Sequence, residues 1–115
     1  MSRSILLQLA RDSIEEVLQA QNTIDKQLLL EQHPLLNENI PTQTNIYIED
    51  ELRASYINAE HSLLKNIIIS AKKAAFEDKV SSPLTTAEYL SCEIELILTT
   101  QDGVISERDP AIVKN

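Results

Sequence analysis

The sequence predicts an α+β domain, with a small mixed or antiparallel sheet of about four strands and two main helices packed on one face. Three observations carry this expectation. Two stretches, Ser4–Gln21 and Ser62–Asp78, repeat apolar residues at helical spacing. The stretch Cys92–Thr99 alternates apolar and polar residues with a period of two, as a half-buried strand does. Between and after them lie shorter segments rich in Ile, Tyr and Thr, separated by turn residues.

The first helix is expected over Ser4 to about Gln21. Leu6, Leu9, Ala10, Ser13, Ile14 and Val17 form its apolar face, while Arg11, Asp12, Glu15, Glu16 and Gln19 fall mostly on the other. Asn22-Thr23 is a stop, and Thr23 is positioned to cap a short second helix over Ile24–Gln32. His33-Pro34 ends that helix, because the residue before proline avoids the helical region. Leu35–Thr44 reads as a connector, with Asn37, Asn39 and Pro41 as turn formers. Asn45–Ile48 and Leu52–Ile57 read as two strands around Glu49-Asp50-Glu51, a turn without glycine.

Ser62 is placed to cap the second main helix. Leu64, Ile67, Ile68, Ala71, Ala74 and Ala75 form its apolar face, and Lys65, Asn66, Lys72 and Lys73 face away. Ser81-Ser82-Pro83 breaks the chain, and Thr85 or Thr86 starts a short helical turn through Tyr89. In the strand that follows, Cys92, Ile94, Leu96 and Leu98 alternate with Glu93, Glu95, Ile97 and Thr99. Asp102-Gly103 is a tight-turn signature with Val104-Ile105 as a return strand, and the polar chain from Ser106 is expected to fray.

Composition bounds the function. The chain has 115 residues, suited to one domain over 1–115, with 43% hydrophobic and 24% charged residues. Its net charge of -8 repels phosphate backbones, and the densest basic spot is Lys72-Lys73, so no nucleic-acid partner is expected. No apolar run reaches the roughly 18 residues of a membrane span, so no membrane association is expected. Cys92 is the single cysteine, which fits a reducing, cytoplasmic setting. The single glycine, Gly103, excludes the glycine-rich loops that cradle phosphates and the Gly-x-Ser-x-Gly nucleophile turn. No cofactor is expected.

Three pieces of the chain resemble the AMMECR domain family. They are Ser70-Ala-Lys-Lys-Ala-Ala-Phe-Glu-Asp78, Pro83-Leu-Thr85 and Cys92-Glu-Ile-Glu-Leu-Ile-Leu98. Family members show a helix ending in Ala-Ala-x-x-Asp, a Pro-Leu-Thr connection and a strand of the Ile-Glu-Ile type, in that order and spacing. The opening Leu6–Ala10 helix with Ser13-Ile-Glu15 is also similar to the family's start. One departure matters for function. Where the family signature reads Leu-Arg-Gly-Cys-Ile-Gly, this chain reads Leu52-Arg53-Ala54-Ser55-Tyr56-Ile57. The Asp-Pro-Arg-Phe after the long helix is likewise replaced by Asp78-Lys79-Val80-Ser81. The resemblance therefore implies a C-terminally short, divergent relative lacking the Gly-Cys segment. A serine hydroxyl without an adjacent base is a weak nucleophile and a poor ligand for soft metals.

Two functional readings follow. The favoured one is a non-catalytic interaction or regulatory module, homodimeric and open to a protein partner. A sheet edge or apolar face left open by a short chain is most simply covered by a second copy. The alternative is a small-ligand binder or enzyme with a pocket around Arg53, Ser55 and Glu51. Arg53 and Ser55 stand two apart on a strand and so share a face, and arginine supplies a fork of donors for a carboxylate or other anion. The same pattern is also what the solvated face of an antiparallel sheet looks like. His33 and His61 form no metal-ligand pattern. Glu93 and Glu95 share the polar side of their strand, which is expected to be solvated. Cys92 is expected in the core, with no neighbouring cation evident.

Overall fold

A computed structural model describes residues 3–77 and 82–112. Helix α1 spans Ile5–Gln19, α2 Lys26–Gln32, α3 Leu63–Phe76 and α4 Thr86–Ser91. The strands are β1 Thr42–Ile48, β2 Glu51–Asn58, β3 Glu93–Thr100 and β4 Gly103–Asp109. A single 3₁₀ turn covers Pro34–Asn37. The four strands form one sheet in the order β2-β1-β3-β4, and every pairing is antiparallel. Helices α1 and α3 pack against each other and against one face of that sheet, so the α+β expectation holds.

Each helix starts where a side chain can accept an orphan backbone N–H. Ser4, Asp25, Ser62 and Thr85 cap α1, α2, α3 and α4 in turn. Thr85 and Glu88 complete a reciprocal capping box, each side chain accepting from the other's backbone. The Thr85 N–H bond holds the Glu88 carboxyl below its ordinary range against the opposing effect of burial, with Arg53 adding to it. The second helix is therefore capped by Asp25 rather than Thr23, and the N–H groups of Thr23 and Ile24 go to the Glu16 carboxylate at 2.7 and 2.9 Å.

The core is built as the periodicities dictate. Ile14, Ile67, Ile94 and Ala71 are fully buried, together with Ile46 and Leu63. Cys92, just before β3, and Ile94, Leu96 and Leu98 along it are all buried, as expected. The leucines of the 28–36 segment divide: Leu36 is buried, Leu29 and Leu30 pack partly on the core, and Leu28 and Leu35 are exposed.

Five further readings are corrected. Arg11, expected on the outer face of α1, is fully buried, and Val17, expected inside, is 45% exposed. Helix α1 is enclosed by α3, by the sheet and by the Tyr89–Cys92 segment that receives Arg11, so its buried arc is wider than a single stripe. Asn66, expected to face away, is fully buried because its amide holds the backbone of Ile40 and His61. The chain from Ser106 to Asp109 does not fray. Strand β4 continues to Asp109, whose buried carboxylate accepts from Arg11 Nε at 2.6 Å and Arg3 Nε at 2.9 Å. Finally, Cys92 does have a cation beside it, with Arg11 Nη1 3.6 Å from its sulfur. Burial nevertheless pushes the thiol up, outweighing Arg11, which is the behaviour of an inert core thiol.

The β1–β2 turn solves the absence of glycine by strain. Glu49 and Asp50 have φ of 52° and 66°, both left-handed, as a type I′ hairpin turn requires. Such a conformation costs a non-glycine residue about 1 kcal/mol or more. Replacing Glu49→Asn together with Asp50→Gly is therefore expected to raise stability by about 1–2 kcal/mol, read from urea unfolding. An unchanged midpoint would show that the turn is not strained.

Candidate functional site

The segment in place of the Gly-Cys signature lies on β2, an outer strand of the sheet. Its regular pairing with β1 runs from Thr42↔Asn58 to Ile46↔Ala54 and then shifts, so that Tyr47 faces Leu52. Arg53 is the extra residue of this β-bulge. A bulge interrupts the two-residue alternation, and the expectation that Arg53 and Ser55 share a face rests on that alternation. The two side chains have different partners. Arg53 Nη2 donates to the Ser82 carbonyl at 2.8 Å and lies 3.6 Å from Glu88 Oε2, so it holds the chain that enters α4. Ser55 Oγ donates to Asn45 Oδ1 at 2.6 Å and accepts from Gln43 Nε2 at 3.1 Å. Glu51 is exposed at the start of β2.

Ser55 belongs instead to a polar lattice across the face of the sheet opposite the helices. Asn45, although on that face, is only 5% exposed. Its Oδ1 accepts from Ser55 and Gln43, and its Nδ2 donates to Glu95 Oε1 at 3.0 Å. The Tyr47 hydroxyl donates to the same Glu95 oxygen at 2.9 Å. That bond, with burial, raises the phenol above its ordinary value of 10.0, and Arg108 opposes the rise. The Arg108 guanidinium stacks 4.1 Å from the Tyr47 ring centre and pairs with Glu93 Oε1 at 2.8 Å. Glu93 and Glu95 are thus half-buried and bonded rather than simply solvated. The sequence signal for this lattice was present as Gln43, Asn45 and Tyr47 alternating along β1. What they bond to depends on strand order, which the chain's linear pattern does not specify.

The two outer strands differ. β2 carries the Arg53 bulge, a device that discourages pairing with another strand, although it also exposes Leu52 and Ile57. β4 pairs with β3 in one unbroken register from Ile94↔Asp109 to Thr100↔Gly103. Its outward edge carries Val104 and Ile105, which are 67% and 52% exposed. Beside it, on the helix side, an apolar groove of about 400 Å³ is lined by Ile5, Leu6, Pro34, Leu35 and, from β4, Glu107. Ser4 Oγ donates to Glu107 and ties the start of α1 to this strand. Among the described residues, no three His, Cys, Asp or Glu side chains converge as metal ligands, and no helix is long and apolar enough to cross a membrane.

The architecture is that of an AMMECR-type domain, a helix-backed antiparallel sheet. The AMMECR1 family model matches residues 7–111, and the chain belongs to that family. It is similar in fold to an uncharacterized protein, PH0010, from Pyrococcus horikoshii, with a TM-score of 0.71 and 23% identity. The match covers 83% of this chain and 49% of that one, so the chain spans about half the length of this relative. No curated protein sequence matches.

Proposed function

We propose that this chain is a non-catalytic, cytoplasmic interaction module that works as a homodimer through the outer edge of β4. The observation that carries the reading is the contrast between the two sheet edges. β2 is broken by the bulge at Arg53, whereas β4 pairs in one unbroken register; each exposes two apolar side chains, Leu52 and Ile57 on β2, Val104 and Ile105 on β4. An unbroken edge with apolar side chains is a template for another strand. A shared, self-complementary edge gives a closed dimer. The reducing setting is supported by the single, buried thiol of Cys92.

The alternative is a ligand or enzyme site at Arg53, Ser55 and Glu51. The partners of the first two weigh against it, since Arg53 and Ser55 already act on Ser82 and Asn45. Native mass spectrometry separates the readings. A bare mass of twice the chain is expected. A bare monomer at micromolar concentration overturns the dimer, and a reproducible small added mass that disappears in Arg53→Ala favours the ligand site.

A further inference from the structure

Resting on the β4 reading, the geometry points to one register for the second copy: β4 pairs antiparallel with its own twin, centred on Ser106, and the partner's Ile105 fills the apolar groove beside the edge. Three features fit this arrangement. The first is overlap. β4 runs from Gly103 to Asp109, so Ser106 is its midpoint, and only a pairing centred there engages every residue of both strands.

The second is facing. In an antiparallel pair, opposed residues lie on the same side of the sheet. Ile105 and Glu107 sit opposite Leu98 and Leu96 on the helix side, whereas Val104, Ser106 and Arg108 sit opposite Thr99, Ile97 and Glu95 on the helix-free side. Centring on Ser106 opposes Ile105 to Glu107 and Val104 to Arg108 in both copies. Like sides then meet like sides, and the sheet continues to eight strands with all helices on one face. Moving the centre to Glu107 would set two carboxylates directly opposite each other, which is unfavourable. A centre at Ile105 would leave Arg108 and Asp109 beyond the opposing strand.

The third is the groove. Glu107 is the β4 residue that lines it, together with Ile5, Leu6, Pro34 and Leu35. The residue placed opposite Glu107 is therefore the one delivered to the groove, and in this register that residue is Ile105. The apolar side chain left 52% exposed in one copy meets the apolar groove left open in the other, twice about the same axis. On the other side of the sheet, Val104 comes against Arg108, whose guanidinium is already held flat on Tyr47 and paired to Glu93. Edge hydrogen bonds alone make a marginal contact, and the two buried isoleucines supply the apolar area that stabilises it.

A cysteine at the midpoint tests the register directly. Opposed residues across a strand pair have Cα atoms about 4.5–5.5 Å apart, within the range that a disulfide accepts. The full-length Ser106→Cys protein is expected to form a covalent dimer on mild oxidation, seen on a non-reducing gel. The unsubstituted chain, whose Cys92 is buried, is expected to form none. Ile105→Lys and Leu35→Lys are each expected to weaken self-association at least tenfold by analytical ultracentrifugation. Ile57→Lys, on the opposite edge, is expected to leave it unchanged. A protein that is dimeric by mass but gives no Ser106→Cys cross-link overturns this register and leaves the dimer reading standing. A protein that is monomeric overturns both. Because the cross-link needs no destabilising charge, it decides the question even if Ile105→Lys fails to fold.

Discussion

Replacing Arg11→Ala is expected to destabilise the domain by about 3–5 kcal/mol, the range for breaking one partner out of a buried ion pair. Arg11 is fully buried and Asp109 is 4% exposed. The guanidinium gives Nε to Asp109 at 2.6 Å and Nη2 to the carbonyls of Cys92 and Pro110 at 3.0 and 2.9 Å. It also lies over the Tyr89 ring, 5.2 Å from its centre, with Nη1 3.3 Å from the Tyr89 carbonyl. One side chain on α1 therefore ties down the end of α4, the start of β3 and the end of β4. Truncating it leaves a buried carboxylate with only Arg3 as its cation and two or more carbonyls without donors. For a domain of this size the loss corresponds to about 10–20 °C in Tm. Arg11→Lys is expected to fall between, because an ammonium cannot reproduce the fork.

The paired replacement of Arg11→Met with Asp109→Leu discriminates further. Where an ion pair is isolated, such a swap is often neutral. Here it is expected to recover only part of the loss, since the Cys92 and Pro110 carbonyls still lose their donor. Full recovery would show that the carboxylate was the whole of the problem. A loss below about 1 kcal/mol for Arg11→Ala would show that the cluster does not hold β4 in place.

What could be read in the sequence followed from local chemistry. Ser62 and Thr85 announced helix starts because a cap acts over three residues. β3 was legible because its alternation is interrupted only by Ile97. Asp102-Gly103 marked a turn, with Gly103 at φ of 132°. The misreadings share another cause. Arg11, Asn66 and Asp109 are polar groups buried by partners 98, 26 and 98 residues away along the chain. Polarity alone put them outside, and only tertiary pairing puts them inside. The bulge at Arg53 has the same character: whether Arg53 shares the face of Ser55 depends on the register β1 imposes, which neither residue encodes. The polar lattice around Asn45 likewise needs β1 between β2 and β3 before its donors and acceptors meet.

Asn66 offers the second large effect, and its chemistry makes the prediction sharper than truncation alone. It sits in the first turn of α3, fully buried. Nδ2 donates to the carbonyls of Ile40 and His61 at 2.8 and 2.9 Å, and Oδ1 accepts from the His61 N–H at 3.1 Å. The amide thereby fastens the chain entering β1 and the β2–α3 loop to one point, and no other side-chain type offers two donors and an acceptor in that shape. Asn66→Ala is expected to cost about 2–4 kcal/mol, because three backbone groups lose their partner at once. Asn66→Asp keeps the shape but puts a carboxylate against two carbonyl oxygens. The introduced acid is then hard to ionise in the fold, so its folded pKa lies above its unfolded value of about 3.9. A raised carboxyl pKa means that the folded state binds the extra proton, so stability increases as pH falls. Relative to the unsubstituted chain at the same pH, Asn66→Asp should therefore be least stable at pH 7. It should regain part of the loss near pH 5, as the neutral acid again donates one hydrogen bond. Urea unfolding at both values checks this. A gap that does not change with pH would mean that Asn66 is not buried against those carbonyls.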